Sequence, residues 1–338
     1  MISRFAVLLT AAVAASIALA GCSSPEASEA PADASTTGSF PLTVQHMYGE
    51  TTLDAIPERV VTWGFGTTDA VLALGVVPVA MPSAEYGGGD DLIYPWISDA
   101  IDASGEPAPV LLDNITSALT VEKVLAADPD VLLAPHSGLT QAEYDAVTDA
   151  GVPVIAPPEE LWSTPWRDVI TTTGDVLGVP DRARELVADL DRQVQDAGSQ
   201  HPEFDGRSIA YVSEAADVYY LLLPSDPRVE LLENLGFVSP ASVTDLATDD
   251  ATFSTTVSAE NVSKIDADVV FTQVDTDSAL QEFVGSPVSR QIPAVDAGAV
   301  AGFVGQEAGA AVGPTALSIP YFLPTLVDGL AGAVNNEG

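Results

Sequence analysis

Basic residues are scarce in this chain of 338: 11 lysines and arginines stand against 49 acids, for a formal net charge of −38. Only two lysines occur, Lys123 and Lys264. A nucleic-acid binder needs clustered Lys and Arg to replace condensed counterions, so that class is excluded. The one cysteine, Cys22, excludes an intramolecular disulfide framework and a cysteine-built zinc or iron–sulfur centre. Three histidines, His46, His136 and His201, stand in unrelated contexts and leave little for a histidine-rich metal site. There is no Gly-x-Ser-x-Gly elbow, no phosphate loop and no Gly-x-Gly-x-x-Gly turn after a strand. His136 and Ser137 are adjacent and point apart, which does not suit a nucleophile and its base. The composition therefore speaks against an enzyme. What is present is apolar: hydrophobic residues make up 47% and mean hydropathy is +0.24, so the chain can bury a core. At about 150 residues per domain, its length suggests two.

Arg4, an apolar run over residues 5–18 and the small residues before Cys22 form an export signal too short for a mature membrane span. Leu19-Ala20-Gly21-Cys22 resembles the lipobox of bacterial lipoproteins, cleaved before the cysteine, whose sulfur then carries lipid. Residues 1–21 are thus expected to be a lipoprotein signal peptide, and Cys22 the lipidation site that anchors the chain to the outer face of the cell membrane. Loss of the signal removes one base, Arg4, and no acid. Residues 23–39 hold Ser, Pro, Ala, Glu and Thr without a large apolar side chain until Phe40, and read as a disordered tether reaching about 55–60 Å when extended.

From Phe40 onward, short β-branched runs alternate with helical patterns, the signature of an α/β chain with parallel strands. Strands are expected over residues 59–63, 76–81, 131–134 and 152–156, with helices over 69–74, 122–127 and 143–150 between them. Thr164-Pro165 reads as a cap for a helix running to Leu177. Ala183, Leu186, Val187, Leu190 and Val194 then mark one face of a helix over 181–197, roughly 25 Å long. After it come strands at 208–212 and 219–223 and a helix at 228–235. Thr120-Val121-Glu122 through Asp130 parallels Ser258-Ala259-Glu260 through Asp268: a Glu opens a short helix and an Asp eight residues later precedes a buried strand. Asp-Ala-Gly follows each passage, at 149–151 and 296–298. Two lobes of related internal order joined by one long helix is the expected arrangement.

Pro57-Glu58-Arg59-Val60-Val61 with Thr68-Asp69 through Gly75 and Pro78 resembles the opening of the iron-siderophore and cobalamin group of ABC-transporter substrate-binding proteins. The passages 121–133 and 258–271 resemble its paired lobe motifs, and Leu317-Ser318-Ile319-Pro320-Tyr321 its C-terminal helix. Thr164-Pro165-Trp166-Arg167 and Ser137-Gly138 before Tyr144 are similar to actinobacterial lipoprotein members, and the resemblance covers residues 40–332. It implies an α/β fold of two Rossmann-like lobes around a central cleft, bridged by one long rigid helix that permits a small tilt. The lobes fall at 40–164 and 204–334, with connecting helices at 165–203. It also implies capture of a ferric siderophore and its delivery to an ABC permease dimer with its ATPase, by a monomer with no cofactor beyond the lipid on Cys22. Glu122 and Glu260, at the matching position in each lobe, are the implied permease-docking residues.

Ligands of parallel α/β sheets bind beyond the carboxyl ends of strands. That rule places Trp63, Tyr86, Trp96, His136, Trp162 and Trp166 at the cleft from the first lobe, with Arg228 and Phe253 as the expected contacts from the second. Ser213, Gln273 and Phe303 occupy comparable connections. Aromatic rings suit a bulky metal chelate, and Arg228 can donate to a chelate oxygen. Few arginines remain for the cleft, since Arg182, Arg184 and Arg192 belong to the long helix and Arg59 and Arg207 begin strands. A strongly anionic ferric catecholate calls for several guanidinium groups, so a neutral or cationic hydroxamate chelate is favoured. Haem, cobalamin and another metal chelate are the alternatives, as is a surface lipoprotein with no transport role.

Overall fold

A computed structural model describes residues 38–335, except 116–117, 216–217 and 249–250. The signal peptide, Cys22 and nearly all of the tether lie outside the described residues. The chain starts with a hairpin that the sequence pattern did not mark, β1 (Leu42–His46) and β2 (Gly49–Leu53). Thr51 pins it to the first lobe, its hydroxyl donating to the Val154 carbonyl at 2.7 Å.

The first lobe follows as β3 (Val60–Thr62), α1 (Thr67–Ala73), β4 (Ala80–Pro82), α2 (Pro95–Ser104) and β5 (Val110–Leu112). It ends with α3 (Val121–Ala126), β6 (Val131–Leu133), α4 (Gln141–Asp149) and β7 (Val154–Ile155). The chain then runs through α5 (Trp166–Val176) and the 20-residue α6 (Pro180–Ser199). The second lobe opens with β8 (Ile209–Ala215), β9 (Val218–Leu222), α7 (Pro227–Asn234), α8 (Ala241–Asp245) and β10 (Ser254–Val257). It continues with β11 (Val269–Val274), α9 (Asp277–Gly285), α10 (Pro293–Ala297), β12 (Val300–Val304), α11 (Gln306–Ala311) and α12 (Ser318–Asn335).

The two sheets have the same strand order, β5-β4-β3-β6-β7 and β10-β9-β8-β11-β12. Within each lobe that is third, second, first, fourth, fifth, so the internal repeat read from the sequence is also a repeat of topology. Its two aspartates have one job. Asp130 Oδ2 accepts the backbone N–H groups of Glu58 and Arg59 at 2.9 and 2.8 Å, ahead of β3. Asp268 Oδ2 accepts the N–H and hydroxyl of Ser208 at 2.8 and 2.9 Å, ahead of β8. Each carboxylate ties the start of the fourth strand to the start of the first. The Ser208 N–H in turn holds the Asp268 carboxyl below the usual carboxylate range.

Two expectations are corrected. The first sheet is wholly parallel, but in the second β8–β9 and β9–β10 are antiparallel, because β8 turns directly into β9 without a crossover helix. Glu260 does not open a helix like Glu122: it lies in a turn before a short 3₁₀ turn (Val262–Lys264), whereas Glu122 is in the first turn of α3.

Each lobe buries a core of its own on one face, around Leu132 and Leu139 in the first and Val212 and Val270 in the second. A third core is continuous from lobe to lobe. Ala183, Leu190 and Val194 of α6 share it with Trp96 and Ile101 of the first lobe and with Phe237, Phe271 and Phe322 of the second. Arg167 reinforces the seam: Nε and Nη2 donate to Asp191 of α6, and Nη1 to Glu230 of α7 at 2.7 Å.

Candidate ligand-binding site

Between the lobes lies a cavity of about 740 Å³, within the range of small-molecule sites. From the first lobe its walls are Phe65 after β3, Tyr86 and Tyr94 after β4, His136 after β6, and the segment carrying Trp162 and Trp166 after β7. Those loops follow strand carboxyl ends, as the rule for parallel sheets requires. From the second lobe come Ser225 to Arg228, the Thr252-Phe253 turn before β10, and residues around the end of α11. The Leu223 N–H donates to the Phe253 carbonyl at 2.9 Å, which joins the first two of these.

Tyr86, His136, Trp162, Trp166, Arg228 and Phe253 therefore meet at one cavity. Trp63 and Trp96 do not. Trp63, 2% exposed, points from β3 into the core of its own lobe. Trp96, 4% exposed, stacks on Tyr94 at 4.6 Å and donates its indole N–H to Asp69 at 2.8 Å. A buried indole needs an acceptor, and Asp69, which like Trp96 does not line the cavity, fills that need. Asp69 Oδ1 also accepts the Thr315 hydroxyl at 2.6 Å, a hydrogen bond from one lobe to the segment leading into α12. Burial pushes its carboxyl above the ordinary range, against those two hydrogen bonds. Ser213, Gln273 and Phe303 do not line the cavity either. All three lie inside strands, Ser213 in β8, Gln273 in β11 and Phe303 in β12, and not in the connections beyond them. Gln273 instead reaches across to the Tyr86 hydroxyl at 3.2 Å, and that hydroxyl donates to Asp275 at 2.7 Å, so Tyr86 bridges the lobes.

Trp162 is the most exposed of the four indoles, at 48%, and sits at φ 59°, a strained conformation for a bulky residue of the kind that collects at functional sites. Gly138 makes room for it: a Cβ at that position would fall 2.6 Å from the indole nitrogen. His136 meets the Trp162 ring edge-on at 5.8 Å. Its Nδ1 lies 2.7 Å from the Thr164 carbonyl, so Nδ1 carries the proton and Nε2 is an acceptor. Burial lowers its pKa, opposed by that hydrogen bond, and the ring is neutral at neutral pH. Thr164 does not cap α5; its hydroxyl donates to the Pro135 carbonyl at 2.5 Å and locks the same loop. Phe65, which sequence reasoning missed, follows Gly64, where a Cβ would strike the His136 carbonyl at 2.2 Å. An aromatic between two glycines directly after a strand was the available signal.

Across the cavity, Arg228 lies with its Cζ 5.4 Å from the Tyr211 ring centre. Asp226 grips it with both oxygens, Oδ1 to Nε at 2.9 Å and Oδ2 to Nη2 at 2.7 Å. Burial works against the guanidinium charge, but Asp226 more than compensates and the pKa rises. Burial likewise pushes the Tyr211 phenol up to about 12. Glu122 and Glu260 lie apart from the cavity, exposed, and neither makes a hydrogen bond or ion pair among the described residues.

Two α/β lobes of matching strand order, sharing a core and enclosing an aromatic cavity, define a two-lobed solute-binding protein. The chain belongs to the periplasmic binding protein family, whose sequence profile matches residues 68–303. The probable siderophore-binding lipoprotein YfiY of Bacillus subtilis strain 168 is 27% identical over 260 residues, 75% of this chain and 74% of its own length. The crystal structure of Streptococcus pneumoniae TIGR4 PiaA in complex with ferrichrome matches with a TM-score of 0.79 at 32% identity, covering 87% of this chain and 99% of that one. A periplasmic solute binding protein from Mycobacterium smegmatis shares the fold, with a TM-score of 0.74 at 22% identity over 87% of this chain and 98% of that one.

Proposed function

We propose that this protein is the substrate-binding lipoprotein of an ABC importer, capturing a ferric siderophore of the hydroxamate type. The cavity carries the reading. Aromatic rings from both lobes give it a large, rigid apolar wall, and its one lining guanidinium among the described residues, Arg228, is already paired with Asp226. An anionic catecholate would find no uncompensated cation there to offset its desolvation. A neutral hydroxamate needs only donors and apolar contact. The ferrichrome held by the related PiaA is a chelate of that type.

On this reading residues 1–21 are removed, lipid on Cys22 holds the protein at the outer face of the membrane, and the chain acts as a monomer without catalysis. Residues 40–164 and 204–334 are the lobes, and α6 with its shared core limits closure to a small tilt. Tyr86, His136, Trp162, Trp166, Arg228 and Phe253 contact the chelate. Glu122 and Glu260 dock on the permease dimer that works with its ATPase; exposed charges of this kind set orientation and encounter rate.

Indole fluorescence and thermal unfolding of the mature protein, titrated with ferrichrome and with ferric enterobactin, test the proposal. Ferrichrome should quench the fluorescence and raise Tm as RT ln(1 + [L]/Kd) requires. Tight binding of the catecholate with no response to ferrichrome would overturn the hydroxamate assignment, and no response to either would overturn the siderophore role.

A further inference from the structure

We infer that Asp226 sets the charge selectivity of the cavity, by presenting Arg228 to the ligand as a neutral pair. The inference rests on the siderophore reading above. Asp226 is 2% exposed, and its two oxygens take three hydrogen bonds from Arg228: Nε at 2.9 Å, Nη2 at 2.7 Å and the backbone N–H at 2.8 Å. The backbone bond caps α7, and an asparagine or serine there would cap as well. Capping therefore does not explain the second oxygen, which holds only the guanidinium.

A guanidinium has five N–H donors, and Asp226 occupies two of them. Arg228 thus keeps donors for a chelate oxygen while its charge is cancelled at its own side. The rest of the wall does not restore a positive field. Glu160 and Glu230 also line the cavity, and Arg167, the partner of Glu230, is held by Asp191 as well. An anionic chelate entering this site meets two carboxylates and a compensated cation, a repulsive arrangement that discriminates by rejecting the wrong ligand. A neutral chelate meets hydrogen-bond donors and aromatic walls.

The test compares the wild type with Asp226→Asn and Glu230→Gln, measuring Kd for ferrichrome and ferric enterobactin at two ionic strengths. Each variant removes one negative charge from the wall, but only Asp226→Asn uncovers Arg228. In Asp226→Asn the Kd ratio of enterobactin to ferrichrome should fall at least about tenfold, and the gain should shrink at higher salt. Glu230→Gln should move the ratio less, since Arg167 keeps Asp191. Should Asp226→Asn fold poorly, Asp226→Ser preserves the cap and repeats the comparison. An unchanged ratio in the Asp226 variants, with ferrichrome bound by the wild type, overturns this inference alone, as does an equal shift in Glu230→Gln. A wild type that binds neither chelate overturns the siderophore reading and this inference with it.

Discussion

Asp69 is a carboxyl buried where the lobes meet, and its replacement separates two effects that burial usually mixes. Its Oδ1 accepts both the Trp96 indole N–H and the Thr315 hydroxyl, and all three residues are buried. Asp69→Ala leaves two buried donors without an acceptor at about 1–3 kcal/mol each, so the loss should be about 2–6 kcal/mol. For a chain of this size that lowers Tm by about 4–10 °C. Asp69→Asn keeps an oxygen at the Oδ1 position and cannot ionise, so at neutral pH it should be close to wild type or more stable. The pH dependence has a definite sign. Burial raises the folded-state pKa, so the folded protein holds this proton more tightly than the unfolded chain does. The stability this adds is fully present below the unfolded carboxyl pKa and is lost as pH rises through the folded value. The asparagine variant cannot lose it. Its stability relative to wild type should therefore grow from pH 4 to pH 7. Urea unfolding of the three proteins across that interval reads the differences, which cancels the contribution of the many other acids. A loss for Asp69→Asn equal to that of Asp69→Ala at pH 7 would refute the reasoning, because it would mean that the charge itself holds the seam.

Gly138→Ala places a Cβ against the Trp162 indole, which is half exposed and free to swing away, so ferrichrome affinity should fall about tenfold or more while Tm moves by only a few degrees; equal affinity would show that the indole is not a contact. The double variant Glu122→Ala with Glu260→Ala should bind ferrichrome as the wild type does, yet fail to support uptake in cells lacking the native protein. Normal uptake would end the docking proposal.

Local order was legible wherever a single element or a short neighbourhood decides it. The apolar stripe of Ala183, Leu190 and Val194 announced α6, because a helix closes its own hydrogen bonds and needs only one buried face. The paired Asp130 and Asp268 were visible as a repeat, since each acts on the strand start that its own lobe supplies. Turn direction and partner choice were not legible in this way. Whether β8 enters a crossover or folds straight back into β9 depends on strand pairing across the sheet, and that choice reverses β9, so that the segment after it, Ser225 to Arg228, meets the Thr252-Phe253 turn at the cavity wall.

The four tryptophans show the division most clearly. Composition and position marked all of them as candidate contacts, and each follows a strand. Trp162 and Trp166 stayed at the cavity, while Trp96 found Asp69 and Trp63 found the core of its lobe. An indole is large and apolar with one donor, so it is equally at home against a ligand or in a core that offers an acceptor. The residue type follows from the chain alone. The neighbour that claims it, like the carboxylate that cancels Arg228, is settled only when distant segments pack together.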